Sequence, residues 1–155
     1  MSTSTIRATP RSGATLPIIA ALATAYLAAV LWLTVRPLPW VTETNETPLG
    51  VLNPAAWLDT AAWVDGPSAE IVANVVMFLP AGVFSALLLR GGMRVLAPLA
   101  LTVFIEVVQI PLESRISHPR DLVANALGAM LGLAAVAVAR WMGRRLRQGP
   151  SSARV

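Results

Sequence analysis

The chain contains no cysteine, no lysine, a single histidine (His118) and only 13% charged residues. Without cysteine there is no disulfide, no thiolate nucleophile and no cysteine-ligated metal, and one histidine excludes a histidine-cluster site. The scarcity of charge argues against a water-soluble surface, which in a domain of this size would carry about twice that fraction. All twelve basic residues are arginine, and the sequence pI is near 11.3. A nucleic-acid binder of that pI would interleave its basic residues with stacking aromatics along helices. Here the arginines avoid the long apolar runs altogether, so no nucleic-acid partner is expected, and neither a metal nor a cofactor.

What is present is apolar: 55% of 155 residues, clumped into runs rather than spread as stripes. Four segments approach the ~20 residues that a helical membrane span requires. They are Leu16 to Val35, Ile71 to Leu89, Val95 to Leu112 and Leu122 to Ala139. Arg7 and Arg11 would suit a signal peptide, but the first run exceeds the ~7–15 residues of such a core, and "RPLPW" offers no small-residue cleavage site. It reads as a retained anchor.

Arginine distribution sets the direction. With both termini cytoplasmic, nine arginines lie inside (7, 11, 90, 94, 140, 144, 145, 147 and 154), and only Arg36, Arg115 and Arg120 lie outside. The expected fold is therefore all-α, a four-helix transmembrane bundle, N-in/C-in, with a long outer loop between helices 1 and 2. Residues 1–15 are expected to be a disordered cytoplasmic N-terminus, 16–139 the membrane domain and 140–155 a basic cytoplasmic tail. The localisation that follows is the cell membrane, multi-pass. Within the outer loop, "NPAAWLDTAAWVDG" reads equally as a short interfacial helix anchored by Trp57 and Trp63 or as an ordinary loop with interfacial aromatics.

Helical spacing collects polar residues onto one face of three spans. Glu70, Asn74, Phe78, Ala81 and Ser85 share a stripe, as do Thr102, Glu106, Gln109 and Glu113, and as do Asp121, Asn125, Gly128 and Gly132. Glu106 lies six residues before the end of its run, roughly 9 Å deep at 1.5 Å per residue. A mid-span carboxylate costs on the order of 2–3 kcal/mol and persists only with a partner or a wet niche. Arg115 or Arg120 is the expected partner. The alternative reading is that Glu106 and the asparagines simply join helices. Gly82, Gly128 and Gly132 read as packing positions, with GxxxG allowing close helix approach, and Pro80 is expected to kink its helix.

Taken together, "NVVMFLPAGVFSALLL", "EVVQ" and "RDLVANALGAMLG" resemble the VanZ-like family, named for a glycopeptide-resistance protein associated with teicoplanin. The resemblance covers about Glu70 to Gly132, and more weakly "VLNP" at 51–54. It rests on Asn74, Phe78, Pro80, Gly82, Glu106, Gln109, Arg120, Asp121, Asn125, Gly128 and Gly132. The family often carries an R-x-x-D-x-x-D form, whereas this chain has Arg115, Arg120 and a single Asp121. Either arginine can be the family's. The resemblance implies a small integral membrane protein of the bacterial cell envelope, linked in some members to antibiotic resistance.

Three functional readings follow. In the first, an outer-leaflet pocket formed by Asn74, Glu106, Gln109, Arg115, Arg120, Asp121 and Asn125 binds a membrane lipid or cell-wall precursor headgroup, and the chain can also form a homo-oligomer. In the second, Glu106 and Asp121 are the acid and base of a membrane hydrolase or transferase. In the third, Glu106 couples transport to protons. The first is preferred because no nucleophile motif or internal repeat is visible, and an adjacent arginine opposes the raised pKa a general base needs.

Overall fold

A computed structural model describes residues 15–37, 48–64, 67–112 and 115–148. Expectations for the N-terminal segment before Thr15, for Glu113 and for the tail beyond Gln148 lie outside these residues. Every regular element described is helical. Four long helices are α1 (Thr15–Val35), α4 (Ser68–Leu88), α5 (Met93–Gln109) and α6 (Pro119–Arg147). Between α1 and α4 lie a 3-10 turn (Gly50–Leu52) and two short helices, α2 (Pro54–Leu58) and α3 (Ala61–Val64).

Boundaries follow local chemistry. Pro17 sits in the first turn of α1, where a missing N–H is harmless, and the helix ends just before Arg36 and Pro37. Asn53 caps α2 by accepting from the Ala55 N–H at 2.9 Å, with Pro54 as the first helical residue. The link between α4 and α5 turns at Gly91 (φ +56°), a conformation that side chains disfavour. Arg94 braces this turn by donating from Nε to the Leu89 carbonyl at 2.9 Å.

Three helices are long and apolar enough to cross a membrane: α1, α4 and α6, with mean hydropathy of 2.2, 2.2 and 2.1. At 21 residues each, α1 and α4 measure about 32 Å, close to the ~30 Å of a bilayer core. α5 is shorter at 17 residues, about 25 Å long, and carries the buried Pro98 inside it. α6 has 29 residues. It continues two turns past Arg140 because arginine, leucine and methionine are good helix formers, although charge ends the apolar run there. Pro80 lies inside an unbroken α4.

The apolar core is small: Val30, Phe78, Ala81 and Ile105, flanked by Tyr26, Leu31, Met77 and Leu101. Most large apolar side chains face outward, among them Leu16, Trp32, Val72, Phe104 and Leu131. Such a surface fits lipid as the solvent. The most extensive contact joins α4 to α6. The two run parallel, since Asn74, Val75, Leu79 and Ala86 of α4 meet Asp121, Gly128, Gly132 and Arg140 of α6 in the same order. A Cβ on Gly128 would collide with the Val75 carbonyl, one on Gly132 with the Leu79 carbonyl, and one on Gly82 with the Ala129 carbonyl. Backbone here touches backbone.

Gly132→Leu is therefore expected to force α4 and α6 apart, with a destabilisation of about 1–3 kcal/mol or more. Gly143→Ala, where an added Cβ meets nothing within 4 Å, is expected to be neutral or stabilising by up to ~1 kcal/mol through helix propensity. Thermal unfolding in detergent, followed by tryptophan fluorescence, separates the two.

Candidate functional site at the polar end of the bundle

Polar residues of α4, α5 and α6 gather where α5 ends and α6 begins. Glu106 occupies the last turn of α5 and is only 1% exposed. Because α5 stops at Gln109, Glu106 lies about 4.5 Å from its helix end, shallower than the sequence implies, and the segment leading into α6 covers it. Its carboxylate accepts from the His118 backbone N–H at 3.0 Å and from the Ser117 hydroxyl. The expected arginine partner is thus replaced by two neutral donors. These supply directed hydrogen bonds without bringing a second charge out of water.

His118 is itself the N-cap of α6. Its backbone is extended, Pro119 follows as the first helical residue, and Nδ1 accepts from the Arg120 N–H at 3.2 Å. With Nδ1 in the accepting role, Nε2 is the ring's donor. Ser117 reaches the other way as well, accepting from the Val51 N–H at 3.3 Å. It presses on Gly50, whose φ of +49° and contact with Ser117 leave no room for a side chain: a Cβ would lie 2.6 Å from the Ser117 Cβ. The segment between α1 and α4 is pinned to the site at that point.

On the α4 side, the Asn74 side chain hydrogen-bonds to the Asp121 carboxylate. Arg120 Nη2 pairs with Glu70 Oε2 at 3.0 Å. Glu70 is 57% exposed, so that pair contributes only about 0–1 kcal/mol. Both acids stand in the first turn of their helices, where the dipole favours negative charge.

On the α1 side, Gln109 Nε2 donates to the Thr34 carbonyl at 2.9 Å. Arg115 Nη2 donates to the Leu33 carbonyl at 2.6 Å and to the Arg36 carbonyl at 3.2 Å. A cation at the carbonyl end of α1 is favourable and satisfies groups the helix leaves unpaired. Partial burial first, then the nearby Arg36 guanidinium, push Arg115 below its ordinary pKa. It remains a cation at neutral pH, since arginine starts above about 12. The Arg36 guanidinium stacks 4.5 Å from the centre of the Trp32 ring.

Asn74, Glu106, Gln109, Arg115, Arg120, Asp121 and Asn125 thus all lie at one end of the helical assembly, but not in one open pocket. Gln109, Asn125 and Ser117 are buried along with Glu106, while Arg115 turns towards α1 and Arg120 towards the start of α4. Thr102 Oγ1, Asp121 Oδ1 and Asn125 Oδ1 are buried without a hydrogen-bond partner among the described residues. An apolar cleft of about 470 Å³ lies towards the other end, between Tyr26, Leu27, Phe84, Leu88, Leu101 and Phe104. Sequence reasoning missed Thr34, Ser117, His118 and Gly50. Only His118 carried a readable signal, as a capping residue directly before proline.

Glu106→Leu strands two buried donors and is expected to cost about 1–3 kcal/mol. Glu106→Gln keeps an acceptor oxygen in place and should lose less. Chemical or thermal unfolding of the purified variants ranks them.

A model of the VanZ/LLP1 family matches residues 23–140, well over half of the chain. No curated protein and no solved structure matches it. The match runs from the middle of α1 to the basic end of α6 and takes in every polar group just described, so the chain belongs to the VanZ/LLP1 family.

Proposed function

We propose that this multi-pass membrane protein of the VanZ/LLP1 family sits in the cell envelope and receives a phosphate-bearing lipid or cell-wall precursor headgroup at its arginine-rimmed end. In this reading α1, α4, α5 and α6 all cross the bilayer, with both termini cytoplasmic and the rim at the outer face. The arginine distribution supports the orientation. Trp57 and Trp63, whose rings lie 6.1 Å apart on the short helices at the same end, suit a headgroup layer at either face.

One observation carries the headgroup reading. Arg36 and Arg115 lie close enough to repel each other, and no carboxylate is paired with either among the described residues. An anion relieves that repulsion, and guanidinium geometry matches phosphate oxygens. Arg120, already paired with Glu70, flanks the site on the α4 side. Glu106, Gln109 and Asn125, being buried, hold the rim in shape rather than meet the ligand first. Occupied in this way, the protein alters how a teicoplanin-type glycopeptide reaches its membrane-bound target and so contributes to resistance. An acid–base role for Glu106 and Asp121 is less favoured, because a substrate would have to pass Ser117 and His118 to reach a carboxylate only 1% exposed.

Wild-type protein is expected to co-purify with phosphate-bearing lipids that the Arg36→Gln/Arg115→Gln double variant has lost, as read by mass spectrometry of extracted lipid. Equal retention by both would overturn the headgroup reading. The lack of native cysteine makes topology directly testable. Thr60→Cys should react with a membrane-impermeant maleimide on intact cells, and Gly92→Cys only after permeabilisation. The reverse pattern would invert the orientation.

A further inference from the structure

Beneath the rim, three buried oxygen atoms lack a hydrogen-bond partner among the described residues: Thr102 Oγ1, Asp121 Oδ1 and Asn125 Oδ1. Thr102 is 0% exposed and Asn125 2%, so bulk water does not reach them, and oxygens left this way are costly, most of all on a carboxylate. Their placement is ordered. α5 and α6 pack together and run antiparallel, because α5 returns between the parallel α4 and α6. Glu106 lies beside the head of α6 and within electrostatic reach of Asp121. Four residues deeper on α5 is Thr102, and four residues deeper on α6 is Asn125, each on the same face as the acid above it. One turn below the neighbouring Glu106 and Asp121, the antiparallel run brings Thr102 of α5 and Asn125 of α6 to a common level.

Two of the acids at this end also repel each other. Glu106 and Asp121 lie within electrostatic reach of each other, and no guanidinium among the described residues acts on Glu106, whereas Arg120 and His118 act on Asp121 and Arg120 is shared with Glu70. Among the described residues no group of three or more histidine, cysteine, aspartate or glutamate side chains is arranged to hold a metal. Here the two carboxylates are completed by neutral oxygens instead. Carboxylate, amide carbonyl and hydroxyl oxygens are the ligands that hard cations take, and the absence of nitrogen or sulfur argues against softer metals. A single water would donate two hydrogen bonds but leave the repulsion between the two carboxylates in place.

We propose that the α5–α6 interface binds one hard cation through the oxygens of Glu106, Asp121, Asn125 and Thr102. Two carboxylates favour a divalent ion of the calcium or magnesium class over sodium. The site is separate from the Arg36–Arg115 pair and does not depend on the headgroup reading. Bound there, the ion joins the end of α5 to the start of α6 and neutralises the carboxylates where they leave water.

The test uses full-length protein in neutral detergent, stripped with EDTA and titrated separately with calcium, magnesium, sodium and choline chlorides at matched ionic strength. Unfolding is read by tryptophan fluorescence, and bound calcium by equilibrium dialysis. A saturable rise in Tm of several degrees with a divalent ion, at one ion per chain, is the expected result, as linkage requires of any ligand selective for the folded state. Asp121→Asn should shift the midpoint to at least tenfold higher concentration. Thr102→Val/Asn125→Leu, which removes two of the oxygens but no charge, should abolish the response while the protein still unfolds cooperatively. Failure of any cation to exceed choline would overturn the proposal, as would a response unchanged in both variants; the former result would leave a trapped water as the occupant.

Discussion

The backbone-to-backbone contact of α4 and α6 governs the rest of the molecule. Gly82, Gly128 and Gly132 allow two parallel helices to meet without intervening side chains, and in an apolar solvent such close packing is what holds helices together. That closeness places Asn74 against Asp121 and Glu70 against Arg120. A side chain at any of the three glycines would separate these pairs before it altered anything else. Residues at the polar end are thus positioned by contacts further along the same helices.

Against this rigid pair, α1 and α5 are attached by polar ties at their ends and by the small core in the middle. Tyr26 donates to the Met77 carbonyl at 2.7 Å, and Gln109 and Arg115 hold the carbonyl end of α1. Where most of the bundle surface is apolar, a few directed hydrogen bonds specify register that greasy contacts leave loose. α1 therefore belongs to the site although its own sequence carries no charge.

Much of this was legible in the sequence because the relevant signals are periodic. Apolar run length marked the helices, and i, i+4 spacing put Thr102 with Glu106 and Asp121 with Asn125 on common faces. The partners of Glu106 were not legible, since Ser117 and the His118 N–H belong to an irregular segment whose path no periodicity describes. Arginines flanking a carboxylate invite a charge pairing, yet Arg115 went to helix carbonyls and Arg120 to Glu70. The contribution of Thr34 was invisible for another reason: it acts through its carbonyl, which every residue possesses. The extension of α6 past Arg140 escaped because hydropathy reports the solvent a helix meets, not where its hydrogen bonds end.

The parallel pairing of α4 with α6 also imposes an order of assembly. Helices consecutive in the chain can pair as soon as both are made, but α4 must wait for α5 to be synthesised and reversed before its partner exists. Until then Gly82 has no backbone to meet, Asn74 lacks Asp121, and Glu106 lacks both of its donors, which come from the residues just ahead of α6. A nascent chain that ends before Ser117 therefore holds an unsatisfied carboxylate and an open small-residue groove. The emergence of α6 from the ribosome is the event that closes both.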